Sequence, residues 1–475
     1  MSLTRTNLLL AALVFAAAAW FGVGHSSEDE FQHVILIAEH LRGNVGDDAM
    51  PIDFQRGWRS TLLPAIAAGV FEVSEAIGIS DPFALTLMLR LITTALALWV
   101  MHGLVRAVKP QLRAENRQAL DALSWFLWFV PVLLIRFSGE AWSALLFARG
   151  LSLLLEEEPK SPWAIGAWWG AAVICRPAVA LLPMAALLWL LLVRKDPRRR
   201  LLRIVGGGAA AFAVGICVDA VAYGTFTVTL WNYGLAAMTG EEAWRFTALP
   251  WYQHGLFIAK YATPPLALLL FGALAALLLL KPKHILVWLL LPFLIAHSLL
   301  PIKEPRFLFP LAPLMPWLLV VAWDALCDRW PVTMKRDIWL RLLFPFAAIN
   351  LLALIIAIAT PAGNSRIALA KEIRARFGDE RVHIDVLGDW RHWIPPFYLS
   401  AGSTEIITDK VVPAKSKSIH LVLAPESRKL DEVVSLERLA TGCPGWTHRY
   451  LRWYGLEDGY DPLVLYQLKV GVLDH

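Results

Sequence analysis

The chemistry open to this chain lies with charged residues at the edges of long apolar runs, and four such places occur in order. The first is Glu28-Asp29-Glu30-Phe31-Gln32. A carboxylate held there, beside a membrane surface, can act as general base toward a hydroxyl; a solvated acidic cap on the preceding helix is the bland alternative. The second is Gly57-Trp58-Arg59-Ser60-Thr61-Leu62-Leu63-Pro64, where Trp58 and Arg59 equally suit interfacial anchoring. The third runs from Asp219 through Tyr223-Gly224 to Trp231-Asn232-Tyr233-Gly234 and Leu249-Pro250-Trp251-Tyr252-Gln253-His254-Gly255. Aromatic rings mixed with amides and glycines suit stacking on sugars, and equally an aromatic belt. The fourth is Lys303-Glu304-Pro305-Arg306-Phe307, wedged between two apolar segments. A guanidinium and an ammonium at that depth suit a phosphate, through bidentate and point-charge contacts respectively; an internal Glu304–Arg306 pair is the alternative. Charges in or beside membrane segments cost about 2.5–3.5 kcal/mol on insertion scales, which makes each of these a functional suspect.

The elements that must position these residues are membrane helices. Of the 475 residues, 57% are hydrophobic and 17% charged, and the mean hydropathy is +0.54. A soluble domain carries roughly a quarter charged residues. The apolar excess sits in blocks of about 17–25 residues, enough to cross a bilayer core. The reading is an α-helical polytopic membrane protein with about eleven transmembrane helices. The segments are 6–24, 82–105, 119–137, 141–155, 163–176, 177–193, 204–224, 255–280, 285–301, 306–326 and 338–360. The first is read as a retained anchor rather than a cleaved signal peptide, which puts the N-terminus in the cytoplasm.

Charge parity fits that count in all but one connection, 156–162, which carries Glu156, Glu157, Glu158 and Lys160 and neither helps nor contradicts it. The formal net charge of +5 is concentrated in connections that the scheme makes cytoplasmic. These carry Arg106, Lys109, Arg113 and Arg117; Arg194, Lys195, Arg198, Arg199, Arg200 and Arg203; Lys281 and Lys283; and Arg329, Lys335 and Arg336. The positive-inside rule accounts for them without a nucleic-acid partner. Residues 1–360 form the transmembrane domain, with 25–81 as its first outer loop. Residues 361–475 mix charges with β-rich runs at 382–387 and 419–423, which suggests a small α/β domain on the outer side. Cys175, Cys217, Cys327 and Cys443 show no paired or metal-ligating spacing. Neither metal nor cofactor is expected.

Taken together, the four places resemble the lumenal mannosyltransferases of GPI-anchor and N-glycan precursor assembly, polytopic C-type glycosyltransferases that use a dolichyl-phosphate sugar. The family's His-Pro-Asp-Glu-x-Phe-Gln is similar to Ser26-Ser27-Glu28-Asp29-Glu30-Phe31-Gln32, and its Arg-Ser-x-x-x-Pro to Arg59-Ser60-Thr61-Leu62-Leu63-Pro64. Its Tyr-Gly and His-Pro-Trp-x-x-Tyr regions resemble Tyr223-Gly224 and Leu249-Pro250-Trp251-Tyr252. Its His-Lys-Glu-x-Arg-Phe resembles Ile302-Lys303-Glu304-Pro305-Arg306-Phe307. The match covers residues 1–330. The family's Asp-Glu pair falls on Glu28-Asp29 without a gap, or on Asp29-Glu30 with one deletion; Asp29 is common to both.

The resemblance implies inverting transfer of a sugar, mannose in the family, from a polyprenyl-phosphate donor to a hydroxyl of a lipid-linked or glycan acceptor. Asp29 would be the base, supported by Glu28 or Glu30. Lys303, Arg306 and Arg59 would meet the donor phosphate, and Gln32, Trp251, Tyr252, His254 and Glu304 the substrates. A bacterial inner membrane with the site facing the periplasm is the expected setting, in keeping with the absence of glycosylation sequons. A transporter or flippase of lipid-linked saccharide is the rival from another class. It would show inverted repeats and helices interrupted at the midplane, whereas the suspects here lie at outer segment ends. A lipid-A-type or polymer-joining transferase differs only in acceptor. The topology predicts that, in a cysteine-free background, an impermeant thiol reagent applied to intact cells labels Asp29→Cys and spares Arg198→Cys. The reverse pattern would put the acidic motif on the wrong face.

Overall fold

The computed structural model describes residues 3–158, 160–239, 248–330, 336–388, 392–410, 419–430, 436–454 and 462–468; Lys335 of the basic connections lies outside them. The chain divides into two compact units. The first comprises Met1–Ala16, Asp29–Glu72 and Leu89–Leu354; the second, Ala17–Glu28, Val73–Met88 and Ile355–His475.

Helices dominate the first unit. Among the described residues three are long and apolar enough to cross a membrane: Pro82–Gln111, Arg198–Tyr223 and Pro305–Arg329. Shorter apolar helices include Pro162–Cys175, Pro264–Leu280 and Ile285–Leu299. Two segments read as continuous are broken. The 119–137 run divides into Arg117–Phe126 and Phe129–Leu134. Asn350 covers the break: its amide donates to the Phe126 carbonyl at 2.7 Å, and its carbonyl accepts from the Trp128 N–H at 2.9 Å. Backbone groups without water must be satisfied inside the protein, and one amide side chain can meet a donor and an acceptor together. The 255–280 run divides into Gln253–Tyr261 and Pro264–Leu280. Pro264 disfavours helical backbone at the residue before it, and Thr263 sits at φ +71°. The 25–81 stretch, read as loop, contains the helix Leu62–Ala76. Its apolar run is too short to span and so does not register as a membrane segment.

Close packing of small residues sets the walls of the site. The helices Pro162–Cys175 and Arg198–Tyr223 approach so tightly that a Cβ on Gly166 would strike the Ile204 carbonyl, and one on Gly170 the Gly208 carbonyl. This is the small-residue contact that lets membrane helices meet backbone to backbone. A Cβ on Gly139, which opens the helix Gly139–Leu155, would press on the Cys175 carbonyl. The start of one helix thus abuts the end of another, and Glu140 and Arg176 are brought together.

Asp219, near the end of Arg198–Tyr223, pins the segment that carries Arg59. It is 2% exposed. One carboxylate oxygen accepts from Ser60 Oγ at 3.0 Å, the Thr61 N–H at 2.7 Å and Thr61 Oγ1 at 2.8 Å. The other accepts from Thr229 Oγ1 at 3.0 Å. Tyr223 adds a 2.7 Å hydrogen bond from its hydroxyl to the Arg59 carbonyl and stacks on Phe54 with centroids 4.7 Å apart.

The second unit contains a five-stranded sheet: β1 (Val382–Leu387), β2 (Thr404–Thr408), β3 (Ile419–Pro425), β4 (Leu436–Thr441) and β5 (Leu463–Leu468), in the order β2-β1-β3-β5-β4. β1 runs parallel to β2 and β3, and β5 antiparallel to β3 and β4. The β-rich runs at 382–387 and 419–423 are β1 and the start of β3. Leu387, Val422, Ala424, Leu436, Val464 and Tyr466 form an apolar cluster on this sheet.

The Asp219 clamp yields a graded prediction. Asp219→Ala removes the shared acceptor of four donors, three of them on the Arg59 segment. Thermal unfolding in detergent should show a loss of about 1.5–3 kcal/mol, the scale of hydrogen bonds to a charged group. Thr229→Val removes one donor and should cost about 1 kcal/mol. Equal losses in the two variants would mean that the carboxylate does not organise the segment.

Candidate active site

Asp29 lies on a short helical turn, Glu28–Glu30, that continues into a π-helical stretch, Phe31–Ile35. Such stretches are rare and often mark functional positions. One Asp29 oxygen meets three cationic or ionisable groups. Arg306 Nη1 is in direct contact with it, His33 Nδ1 is 3.3 Å away and Arg59 Nη2 3.8 Å away. Burial disfavours the charged carboxylate. The imidazole of His33, through charge and hydrogen bonding, and the guanidinium groups of Arg306 and Arg59 outweigh it. Together they hold the Asp29 carboxyl well below the usual carboxylate range.

Each partner is itself oriented. Arg59 donates from Nε to Asp53 Oδ2 at 2.9 Å, and the same Asp53 oxygen is 3.3 Å from His33 Nε2. Its guanidinium lies over the Tyr233 ring, 5.5 Å from the centroid. Arg306 forks onto Glu304, with Nε to Oε2 at 2.6 Å and Nη2 to Oε1 at 3.0 Å, and comes within 3.8 Å of Glu140. Glu140 in turn accepts from Arg176 Nη1 at 2.5 Å. Both Arg176 and Arg306 lie over Phe307, at 5.5 and 5.9 Å. The carboxylates of Asp29, Asp53, Glu140 and Glu304 therefore interleave with the guanidinium groups of Arg59, Arg176 and Arg306. Asp29, His33, Arg59, Glu140 and Arg176 line a small, partly open cavity. Ser60, Leu62, Leu63 and Pro64 of the Arg-Ser segment, with Ser138 and Pro177, complete much of its wall.

The sequence-derived candidates divide clearly. Asp29, Arg59, Glu304 and Arg306 come together. Glu30 is 6% exposed and approaches Arg136 at 4.0 Å. Glu28 belongs to the second unit, where it pairs with Arg366 at 2.5 Å. Gln32 is half-buried on the π-helical stretch. Trp251 and Tyr252 are exposed and meet edge to face. His254 is buried, its two ring nitrogens have no hydrogen-bond partner among the described residues, and its ring lies 6.4 Å from those of His297 and Phe307. Lys303 donates to the carbonyls of Leu249, at 2.9 Å, and Leu300. Lys303 is thus held by carbonyls, and Arg306 meets the carboxylates of Asp29, Glu140 and Glu304.

Sequence reasoning missed His33, Asp53, Glu140 and Arg176. His33 follows Asp29 at helical spacing. Arg176 and Glu140 stand in or beside apolar segments, the signal that singled out Arg306. Asp53, in a polar loop, carries no such mark.

A search of curated protein sequences gives no significant match. Among solved structures, the chain is similar to ArnT from Cupriavidus metallidurans bound to undecaprenyl phosphate: TM-score 0.52 and 12% identity over 98% of both chains. The apo form of that protein gives 0.52 and 14% over 97% of both chains. The Archaeoglobus fulgidus oligosaccharyltransferase gives 0.46 and 14%, over 84% of this chain and 62% of that one. The chain shares the ArnT fold, mostly helical with a small sheet domain. The profile of the Alg9-like mannosyltransferase family matches residues 6–386, and the chain belongs to that family of integral membrane glycosyltransferases.

Proposed function

We propose that the protein transfers mannose from a polyprenyl-phosphate donor to a hydroxyl of a lipid-linked or glycan acceptor, with inversion. The reaction takes place on the periplasmic side of a bacterial inner membrane. In this reading the chain crosses the membrane eleven times, residues 1–360 form the catalytic membrane domain and 361–475 an outer domain. The observation that carries it is Asp29, an ionised carboxylate in a cavity whose wall also supplies Arg59 and Arg176, with Arg306 in contact with it. Undecaprenyl phosphate bound to ArnT, a protein of the same fold, supports a lipid-phosphate donor.

The acceptor hydroxyl attacks the anomeric carbon, and Asp29 takes its proton. The bond from that carbon to the donor phosphate breaks, and polyprenyl phosphate leaves as an anion. A phosphate leaving group is a weak base and needs no general acid. The transition state gathers positive charge on the sugar and negative charge on the departing phosphate, so a carboxylate and guanidinium groups are both useful. Arg306 and Arg59 take the phosphate in this reading, and Glu304 fixes the Arg306 fork. Lys303 would reach it only by giving up the Leu249 and Leu300 carbonyls. Glu30 and Gln32 support the acid motif in this reading, Glu28 being taken up by Arg366, and Trp251, Tyr252 and His254 are assigned to the substrates. Donor phosphate and Asp29 compete for Arg306, and donor binding would free the carboxylate to face the acceptor.

Three expectations test this reading. Asp29→Asn should lower transfer about 10²–10⁴-fold, the worth of a positioned base, while donor binding tightens because Arg306 loses a competing carboxylate. Wild-type turnover in that variant, with activity abolished by Glu30→Gln, would move the base. Arg306→Lys keeps the charge but loses the fork, so kcat/KM for donor should fall about 10- to 100-fold while the protein still folds, the scale of charge-assisted hydrogen bonds. Equal losses of folding and activity would leave Arg306 a structural residue. Because the Asp29 pKa is depressed, its ionised form persists as pH falls below the ordinary value of about 4 and is lost only lower. The acid limb of kcat/KM should therefore owe nothing to Asp29 above about pH 4. A limb near pH 6 that shifts in Asp29→Glu would contradict this.

A further inference from the structure

The sheet of the second unit carries a cluster that the transfer reaction does not use. His383 and Asp385 stand two apart on β1, so both point to one face. His420 on β3 is the direct register partner of His383 and joins them there. Asp385 is fully buried and His420 is 6% exposed. The carboxylate lies between two imidazoles: Asp385 Oδ2 is 2.9 Å from His420 Nε2, and Asp385 Oδ1 is 3.3 Å from His383 Nε2. One donor atom from each residue falls within 4.8 Å of the other two. Three ligands on a tetrahedral ion at about 2.1 Å stand roughly 3.4 Å apart, so small rotations would bring these onto one centre.

A further hydrogen bond supports the same reading. His383 Nδ1 meets Thr404 Oγ1 at 2.7 Å, across from β2, where Thr404 is in register with it. A metal-bound imidazole is commonly fixed by a partner on its other nitrogen, which sets tautomer and ring plane and leaves the first nitrogen to coordinate. Adjacent parallel strands hold all three ligands on a rigid scaffold. The His383 side chain is the most exposed of them, at 17%, which leaves a side open for a water or another ligand. Two imidazoles and a carboxylate with an open position suit zinc or a similar divalent transition ion.

We propose that His383, Asp385 and His420 form a divalent transition-metal site of the zinc type in the sheet domain, separate from the Asp29 cavity and positioned by Thr404. The test uses the full chain in detergent, stripped with chelator and dialysed against buffered Zn²⁺, with bound metal measured by elemental analysis. One zinc per chain is expected. His383→Gln should abolish stoichiometric binding, and Thr404→Val should weaken it about 10- to 100-fold, as loss of an outer-shell partner does. Should Asp385→Asn fail to fold, His383→Gln at the more exposed position keeps the test intact. Substitution with Co²⁺ should give a tetrahedral ligand-field spectrum in wild type that is absent from His383→Gln. A wild-type chain that holds no zinc, or a His383→Gln chain that holds it with unchanged affinity, would reduce the cluster to a hydrogen-bonded His–Asp–His network.

Discussion

Arg306 and Asp29 share one small space with two other guanidinium groups and three other carboxylates, and none of these can keep a full water shell there. Charge matching is the constraint on which the rest of the site depends. Removing one member of a buried ion pair costs about 3–5 kcal/mol, because it leaves the other uncompensated. The chain meets the constraint by alternation: Asp53 against Arg59, Asp29 between Arg59 and Arg306, Glu304 and Glu140 on Arg306, Arg176 on Glu140. An anionic donor can enter such a lattice by exchange, taking over a guanidinium already held in place for a carboxylate. In the proposed mechanism the site is thus preorganised for a phosphate and poised to release its base when one arrives.

That lattice needs a scaffold that does not bend, and the scaffold comes from backbone approach and buried acceptors. The glycines of Pro162–Cys175 and Arg198–Tyr223 let the two helices touch. Asp219, at the end of the second, reaches across to Ser60 and Thr61 and fixes the turn from which Arg59 projects. Gly139 does the same at the other wall, seating Glu140 beside Arg176. A conspicuous acid inside a helix, Asp219, here serves position, while the proposed mechanism gives the chemistry to Asp29 on the adjoining loop.

Much of this was legible because burying charge is costly. Asp29, Arg59, Glu304 and Arg306 stand out as polar groups beside runs that have no other reason to tolerate them. Helix positions followed from the apolar blocks, and β1 and β3 from their β-branched runs. What stayed hidden depends on three-dimensional partners. That Lys303 would be bonded to the Leu249 carbonyl, more than fifty positions away, leaves no trace in local composition. Nor does the pairing of Glu140 with Arg176, each of which looks like a stray charge at a segment edge. The breaks near Leu127 and Thr263 went unseen because the apolar pattern continues through them. The Thr263 break had a cue in Pro264, while the other is made tolerable by Asn350, on a distant helix. His383, Asp385 and His420 carry no ligand spacing along the chain, because only the register of β1 on β3 unites them.

The central claim is that Asp29 and Arg306 work as one unit, and a double-mutant cycle on donor-dependent transfer tests it most directly. Asp29→Asn, Arg306→Gln and the double variant would be compared at saturating acceptor. Groups that act together give losses far from additive. The double variant should be scarcely slower than Asp29→Asn alone. Losses that multiply cleanly would mean the two residues act independently, and would contradict it.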